Sequence, residues 1–287
     1  MICMEMLKKF EKEMNEIIKL ALKEDIGAGD ITTDVLISQS AETKAVFVAK
    51  DHGIICGLPV AKRVFQVLDK NIKVTFKKKD GTWVKPGEIL ATVKGRARAL
   101  LSGERLALNI IQRLSGIATY TSKFVDIARP YGVKILDTRK TTPLMRLLEK
   151  YAVKTGGGVN HRMGLYDAVL IKNNHLKQID IEKAYVDMRR WIPKEMKVEI
   201  EVETIEMLEK VIKLQPDIIM LDNMNVEMLH RAIPMVRKSG IPSKIEVSGG
   251  INMSNIRDVV KTRPDFVSIG SITHSPPSMD ISLRMIN

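Results

Sequence analysis

The stretch ILDTRKTTPLMRLLEKYAVKTGGGVNHRMGLYDAVLIKNNHL, residues Ile135 to Leu176, decides how this chain is read. Two short apolar runs, Val133 to Leu136 and Ala168 to Ile171, lead straight into charged residues. A parallel strand covered on both faces is apolar along its length and presents chemistry in the loop at its C-terminal end. Arg139, Lys140, His161, Arg162 and Lys172 lie in or beside such loops. Cations brought together away from water cost free energy unless an anion neutralises them. The stretch therefore implies a pocket for a small, highly negative ligand.

Further along, the same alternation repeats. Strand-like runs recur at Val198 to Val202, Ile218 to Leu221, Ile245 to Val247 and Phe266 to Ile269. Helical patterns separate the runs at Pro143 to Ala152, Ile181 to Trp191, Ile205 to Leu214, Val226 to Lys238 and Ser254 to Thr262. Thr142-Pro143 suits a helix entry, with a capping hydroxyl and proline at the first helical position. Repeated β-then-α units imply a parallel sheet with right-handed crossovers. Six runs fall short of the eight strands of a closed barrel, so the expected fold is an open, incomplete α/β barrel.

In such a barrel the chemistry collects where the strands end. The first run delivers Asp137, Thr138, Arg139 and Lys140, and the second delivers Lys172, Asn173, Asn174 and His175. The third carries Glu199, Glu201 and Glu203 on one face, because strand side chains alternate. The fourth ends in Asp222 and Asn223, the fifth in Ser248-Gly249-Gly250, the sixth in Gly270-Ser271. The last two loops read either as phosphate cradles, where glycine lets backbone N–H groups approach an anion, or as plain tight turns. Glu201 and Asp222 read either as salt-bridge partners of Lys140 or Lys172, or as ligands of Mg²⁺ and ribose hydroxyls. Mg²⁺ favours one or two carboxylates plus substrate oxygens over a full protein cage. Gly156-Gly157-Gly158, before His161-Arg162, reads as a nest or, more simply, a flexible loop.

Toward the N-terminus, Leu7, Phe10, Met14, Ile17, Ile18 and Ala21 recur at helical spacing, predicting one amphipathic helix over Met4 to Lys23. Glu24 to Asp34 (EDIGAGDITTD) reads as a turn-rich connector. Lys44 to Ala49, Ile72 to Lys77 and Glu88 to Val93 read as strands, with a helical insert at Pro59 to Leu68. The piece DGTWVKPGEILATVKG, Asp80 to Gly95, is similar to the hairpin of biotinyl or lipoyl carriers but lacks their Met-Lys-Met turn, so it reads as structural. Gly103 to Tyr120 reads as a long helix starting at Ser102 and Gly103. That start puts Arg105 in the first turn, a poor place for a cation on dipole grounds.

Composition narrows the classes. The chain has 287 residues, 45% of them hydrophobic, enough for two domains or one large barrel. Cys3 and Cys56 are too few for a disulfide framework, which points to a reducing, cytoplasmic setting. No apolar run reaches the roughly 20 residues of a membrane span. The net charge is +12. Nucleic-acid binding fits poorly, since aromatics are 5% and no basic run is interleaved with stacking residues. A solvated lysine-rich surface and steering of an anionic metabolite remain.

GDITTD, GERLALNIIQRLSGIAT, LDTRKTTP, GGGVNHRMGLYDAVLIKNNH, EIEVE, IIMLDNM, EVSGGI and VSIGSITHS occur in series along nearly the whole chain. Together they resemble the quinolinate phosphoribosyltransferase family. The resemblance implies the α/β fold of a type II phosphoribosyltransferase: an N-terminal α/β sandwich (residues 1–112), an open α/β barrel (113–274) and a C-terminal segment (275–287) returning to the first domain. It implies a pentosyltransferase that joins quinolinate to phosphoribosyl pyrophosphate with Mg²⁺, giving nicotinate mononucleotide, pyrophosphate and CO2. Arg105, Arg139, His161, Arg162 and Lys172 would hold the two carboxylates of quinolinate. Thr138, Lys140, Glu201, Asp222, Ser248, Gly249, Gly250, Gly270 and Ser271 would hold the phosphoribosyl group and metal. The family forms dimers, which implies a homodimer here, with a hexamer left open, and Arg105 would cross to the partner's site. Two residues depart from the family pattern: Asn173, where an acidic residue is common, and Leu144, where glycine is common.

The rivals are a nicotinate-specific phosphoribosyltransferase of the same fold, the homologue associated with molybdenum transport, and a non-enzymatic basic protein binding RNA or membrane. The full basic set argues against a substrate with a single carboxylate.

Overall fold

The computed structural model describes residues 2–176 and 180–286. It divides into two compact units: Met1–Ser122 with Thr141–Gly157 and Ile272–Asn287, and Lys123–Lys140 with Gly158–Ser271. Helices α1 (Ile2–Lys9), α2 (Glu11–Ile26) and α3 (Ile31–Leu36) come first. The single amphipathic helix expected over Met4 to Lys23 is therefore broken at Phe10. Apolar spacing runs on through the break, with Leu7, Met14, Ile18 and Leu22 all buried, so periodicity could not reveal it. The expected connector keeps its turn at Gly27 to Gly29, but its second half is helix. Asp30 is the cap, accepting from the Thr33 amide at 3.0 Å.

Next come β1 (Glu42–Ala49), β2 (Gly53–Ile54), α4 (Leu58–Leu68), β3 (Lys73–Phe76), β4 (Trp83–Val84) and β5 (Ile89–Arg96). Helix α5 then spans Ala97–Ala128. It starts six residues before the expected point, because Ala97 to Leu101 are strong helix formers. Ser102 is no cap; its hydroxyl donates to Asp30 at 2.9 Å. Arg105 thus lies in the interior of the helix, exposed, and the first-turn dipole objection to it disappears. Gly103 is tolerated mid-helix because a Cβ there would lie 2.9 Å from the Phe65 ring.

After α5 the chain alternates as expected: β6 (Lys134–Leu136), α6 (Arg146–Thr155), β7 (Val169–Ile171), α7 (Asn173–Leu176), α8 (Ile181–Trp191), β8 (Val198–Val202), α9 (Ile205–Leu214), β9 (Ile218–Asp222), α10 (Val226–Lys238), β10 (Lys244–Ser248), α11 (Ile256–Lys261), β11 (Phe266–Ser268), α12 (Ser271–His274) and β12 (Ile281–Ile286). Helix α6 starts three residues beyond the expected Pro143. Thr142 does not cap it; its amide and hydroxyl are both taken by the buried Glu149 carboxylate. Leu144 has φ 64°, the left-handed region that disfavours a side chain by about 1–2 kcal/mol. That is the physical reason for a glycine at this position in the family pattern.

In the first unit, β12-β1-β5-β3 form an antiparallel sheet. The C-terminal strand closes one edge, with Phe47 opposite Leu283. Residues of β1 and β5 such as Phe47, Leu90 and Val93 are buried, as are Val64 and Phe65 of α4. In the second unit the six-stranded sheet runs β6-β11-β10-β9-β8-β7, every pair parallel. β6 and β7 stand at its two edges, so the barrel is open. Ile200, Ile219, Val247 and Val267 form its core.

Gly116 on α5 packs against the C-terminal segment; an added Cβ would sit 2.1 Å from the Pro277 carbonyl oxygen. Backbone cannot yield as a side chain can. Gly116→Ala should therefore lose about 1–3 kcal/mol, outweighing the gain in helix propensity. Urea unfolding checks this; an unchanged or raised midpoint would contradict the packing.

Candidate active site

All six strands of the second unit point the same way, so their C-terminal ends share one edge. Pairing fixes the heights: Ser248 sits opposite Asp222, and Ser268 opposite Leu136. The chain past Leu136 is held by the Leu136–Val159 bridge and by the Ile269 amide donating to the Leu136 carbonyl at 3.0 Å. Asp137, Thr138, Arg139, Lys140, His161, Arg162, Lys172, Glu201, Asp222, Ser248, Gly249, Gly250, Gly270 and Ser271 all fall in this unit. Arg105 belongs to the other unit.

Beneath the loop that carries His161 and Arg162 lie three buried carboxylates: Asp137, Glu199 and Glu246. Asp137 accepts from the His161 amide at 2.9 Å and from Asn160 Nδ2 at 2.6 Å. His161 Nε2 lies 3.0 Å from Glu199 Oε2 and 3.7 Å from Glu246 Oε1. Glu246 also accepts from the Ser268 hydroxyl. Burial first, then the neighbouring Glu199 charge, pushes the Glu246 carboxyl well above its ordinary value. Arg162 is held below its ordinary value, first by burial and next by the Arg139 guanidinium nearby, against the pull of Glu199 and Asp167. Two guanidinium groups close enough to repel have the geometry that a carboxylate could bridge.

A second acidic group lies further along the edge. Carboxylate oxygens of Glu201, Glu203 and Asp222 fall within 4.8 Å of one another. Burial, then Asp222, raises the Glu201 pKa. The two glutamates of β8 and Glu203 just past its end thus part ways: Glu199 lies under the loop, while Glu201 and the exposed Glu203 meet Asp222. This all-oxygen, partly exposed set fits Mg²⁺, which sheds water reluctantly. In the set at His161, Glu199 and Glu246 the two carboxylates are buried and the part-buried imidazole is already engaged inside the protein.

The glycine loops have structural causes. Gly249 has φ 93°, and a Cβ there would lie 2.6 Å from the Asn223 amide nitrogen. Its neighbour Asn223 (φ 54°) donates from Nδ2 to Asp222 at 2.7 Å and from its amide to the Ser248 carbonyl at 3.0 Å. The fourth and fifth strand ends are therefore locked together. The hydroxyl of Ser271 is buried with no hydrogen-bond partner among the described residues. Gly156 is set by packing, not flexibility: a Cβ would meet the Ala118 carbonyl oxygen at 2.3 Å.

Glu246, Ser268 and Asn160 escaped the sequence reading. The only signal was a charge inside the apolar strand KIEVS, since a buried glutamate in mid-strand needs a partner.

Residues 117–284 match the family model described as quinolinate phosphoribosyl transferase, C-terminal domain, and residues 30–115 match its N-terminal domain. A Bacillus subtilis protein named "Probable nicotinate-nucleotide pyrophosphorylase [carboxylating]" is 41% identical over 94% of this chain and 93% of its own length. The Arabidopsis thaliana "Nicotinate-nucleotide pyrophosphorylase [carboxylating], chloroplastic" is 36% identical over 95% of this chain and 83% of its own. The solved nicotinate-nucleotide pyrophosphorylase from Francisella tularensis superposes with a TM-score of 0.90 at 39% identity, covering 96% of each chain.

The raised Glu246 pKa has a consequence for stability. Above the ordinary value of 4.5 the folded state keeps a proton that the unfolded chain releases. Stability contributed by this group therefore falls as pH rises from 4.5 toward the folded value. Glu246→Gln cannot titrate and should lose this downward slope, up to one proton or about 1.4 kcal/mol per pH unit. Urea unfolding of both proteins from acid to neutral pH measures it; parallel curves would show that Glu246 titrates normally.

Proposed function

The chain belongs to the quinolinate phosphoribosyl transferase family, and we propose that it transfers the phosphoribosyl group of phosphoribosyl pyrophosphate to quinolinate, with loss of CO2, giving nicotinate mononucleotide and pyrophosphate. The observation that carries this reading is the shared strand edge. There Arg139, Lys140, Arg162 and Lys172, two glycine-bearing loops and the Glu201–Asp222 pair occupy the C-terminal ends of one parallel sheet.

The roles divide along that edge. Arg139, Arg162 and Lys172 would face the carboxylates of quinolinate, with His161 in their midst. Lys140, with Thr138 Oγ1 accepting its amide at 3.0 Å, would face pyrophosphate. Ser248, Gly249, Gly250, Gly270 and Ser271 would cradle the 5′-phosphate. Glu201 and Asp222 would hold Mg²⁺ and the ribose hydroxyls; when bound, the cation supplies charge neutralisation at the leaving pyrophosphate. The pyridine nitrogen forms the new C–N bond to the anomeric carbon as the C–O bond to pyrophosphate breaks. Glu201 and Asp222 would stabilise positive charge on the ribosyl carbon, and Lys140 negative charge on the leaving group. As CO2 leaves, the C2–carboxyl bonding pair stays on C2, where the positive charge of the adjacent alkylated nitrogen stabilises it, and that pair then takes a proton from water. This chemistry needs preorganised charge rather than a general base.

The proposal extends to assembly and setting. A homodimer, or a hexamer built from dimers, would let the exposed Arg105 of one copy reach the pocket of another. The +12 charge steers two polyanionic substrates rather than a nucleic acid or membrane. Among the described residues no helix is long and apolar enough to cross a membrane. A cytoplasmic setting accords with the buried free thiol of Cys56.

Purified protein incubated with phosphoribosyl pyrophosphate, Mg²⁺ and either quinolinate or nicotinate should form nicotinate mononucleotide from quinolinate alone. Product from nicotinate alone would refute the two-carboxylate reading. Loss of a charge-assisted contact costs about 1.5–3 kcal/mol, so Lys172→Ala should raise the quinolinate KM roughly 10- to 150-fold. Asp222→Lys should instead damage use of phosphoribosyl pyrophosphate. Normal kinetics in Asp222→Lys or Lys140→Ala protein would overturn the assignment.

A further inference from the structure

An imidazole has two ring nitrogens, and their partners reveal its proton. A neutral ring offers one donor and one acceptor, while an imidazolium offers two donors. The Arg162 amide donates to His161 Nδ1 at 2.7 Å. Two donors cannot face each other at that distance, so Nδ1 carries a lone pair. The ring proton then sits on Nε2, directed at Glu199 Oε2 3.0 Å away. The side chain is only 13% exposed, and both nitrogens face protein. Little of the ring is left to grip a carboxylate from outside.

Resting on the quinolinate reading of this pocket, we infer that His161 is a neutral positioning residue, which fastens the Arg162 backbone to the buried Glu199–Glu246 pair instead of binding a substrate carboxylate itself. The loop is tied at five points. Asp137 takes the His161 amide and Asn160 Nδ2. The ring ties the loop to Glu199 through Nε2 and to Arg162 through Nδ1. Arg162 Nη1 then donates to the Ala168 carbonyl at 2.9 Å. A guanidinium held this way meets a carboxylate with its fork already oriented, which preserves binding free energy otherwise lost to ordering. A neutral ring also avoids a third positive charge beside Arg139 and Arg162 before any substrate arrives. Ser268 and Glu246 have a place in this scheme: they support the carboxylate that supports the ring.

Nitrogen NMR of the full-length chain labelled at histidine reads the tautomer directly. The His161 signals are those missing from His161→Asn protein. The expected spectrum has a bare Nδ1 and a protonated Nε2, unchanged when quinolinate saturates the enzyme. A doubly protonated ring, free or bound, would overturn the inference. Kinetics supply a second reading through a double-mutant cycle. His161→Ala should raise the quinolinate KM about tenfold and leave that of phosphoribosyl pyrophosphate alone, yet add less than about twofold in an Arg162→Ala background. His161→Asn, neutral but keeping an acceptor for the Arg162 amide, should recover most of the loss. An equal cost in both backgrounds would make His161 a ligand in its own right. The outcomes separate from those of the substrate reading: the ring signature is measured on free protein, whereas failure to turn over quinolinate would remove the substrate and the positioning role together.

Discussion

Parallel pairing is the constraint on which the second unit depends. Six strands running the same way place every strand end on one edge, and the register leaves little freedom in how those ends line up. Ser248 beside Asp222 is fixed by a backbone ladder, not by any attraction between the two side chains. The chemistry is therefore assembled by the hydrogen-bonding geometry of the sheet. Side chains from residues more than a hundred positions apart, such as Asp137 and Glu246, come together because β6, β11 and β10 are consecutive in the sheet.

Electrostatics then sorts what the sheet has gathered. Outward from the core the charge changes sign: buried Asp137, Glu199 and Glu246 lie under half-buried Arg139 and Arg162, while Lys140 and Lys172 are exposed. Each layer makes the next less costly. Carboxylates without nearby donors would be expensive to bury, and guanidinium groups without carboxylates beneath would be harder to hold together. The raised pKa of Glu246 and the lowered pKa of Arg162 record what remains uncompensated in the protein alone. The groups left exposed above this stack, Lys140 and Lys172, are cationic.

Much of this was legible in the chain because it has local causes. The β-then-α alternation, the six strands and the residues at their ends follow from apolar runs that stop at charge. Less legible were features with distant causes. Gly103 looked like a helix start but is an interior glycine making room for Phe65. Thr142-Pro143 looked like a helix entry, but Glu149 takes the threonine instead. Glu246 was hidden because its partners come from other strands: Ser268 and Glu199 are invisible to any local pattern. The roles of the site residues were read from a resemblance, and His161 shows what that leaves out. A motif gives the residue at a position, while the partners of its two nitrogens depend on the folded backbone.

Asn173 carries the same reasoning to the other acidic cluster. The family pattern often has an acid there, directly after Lys172. The structure puts the Asn173 amide 3.4 Å from Glu201 Oε1, with the side-chain Nδ2 buried and unpaired. Glu201 already sits with its pKa raised by burial, by Asp222 and by Glu203. A further carboxylate at 173 would push it higher and make the ionised form harder to reach without a cation. Asparagine avoids that repulsion, while the donor to Glu201 is the backbone amide of residue 173. Asn173 therefore spares Glu201 one further repulsion, while burial and Asp222 still hold its pKa above the ordinary value. It leaves Asp222 and Glu201 as the pair on which a bound cation would act.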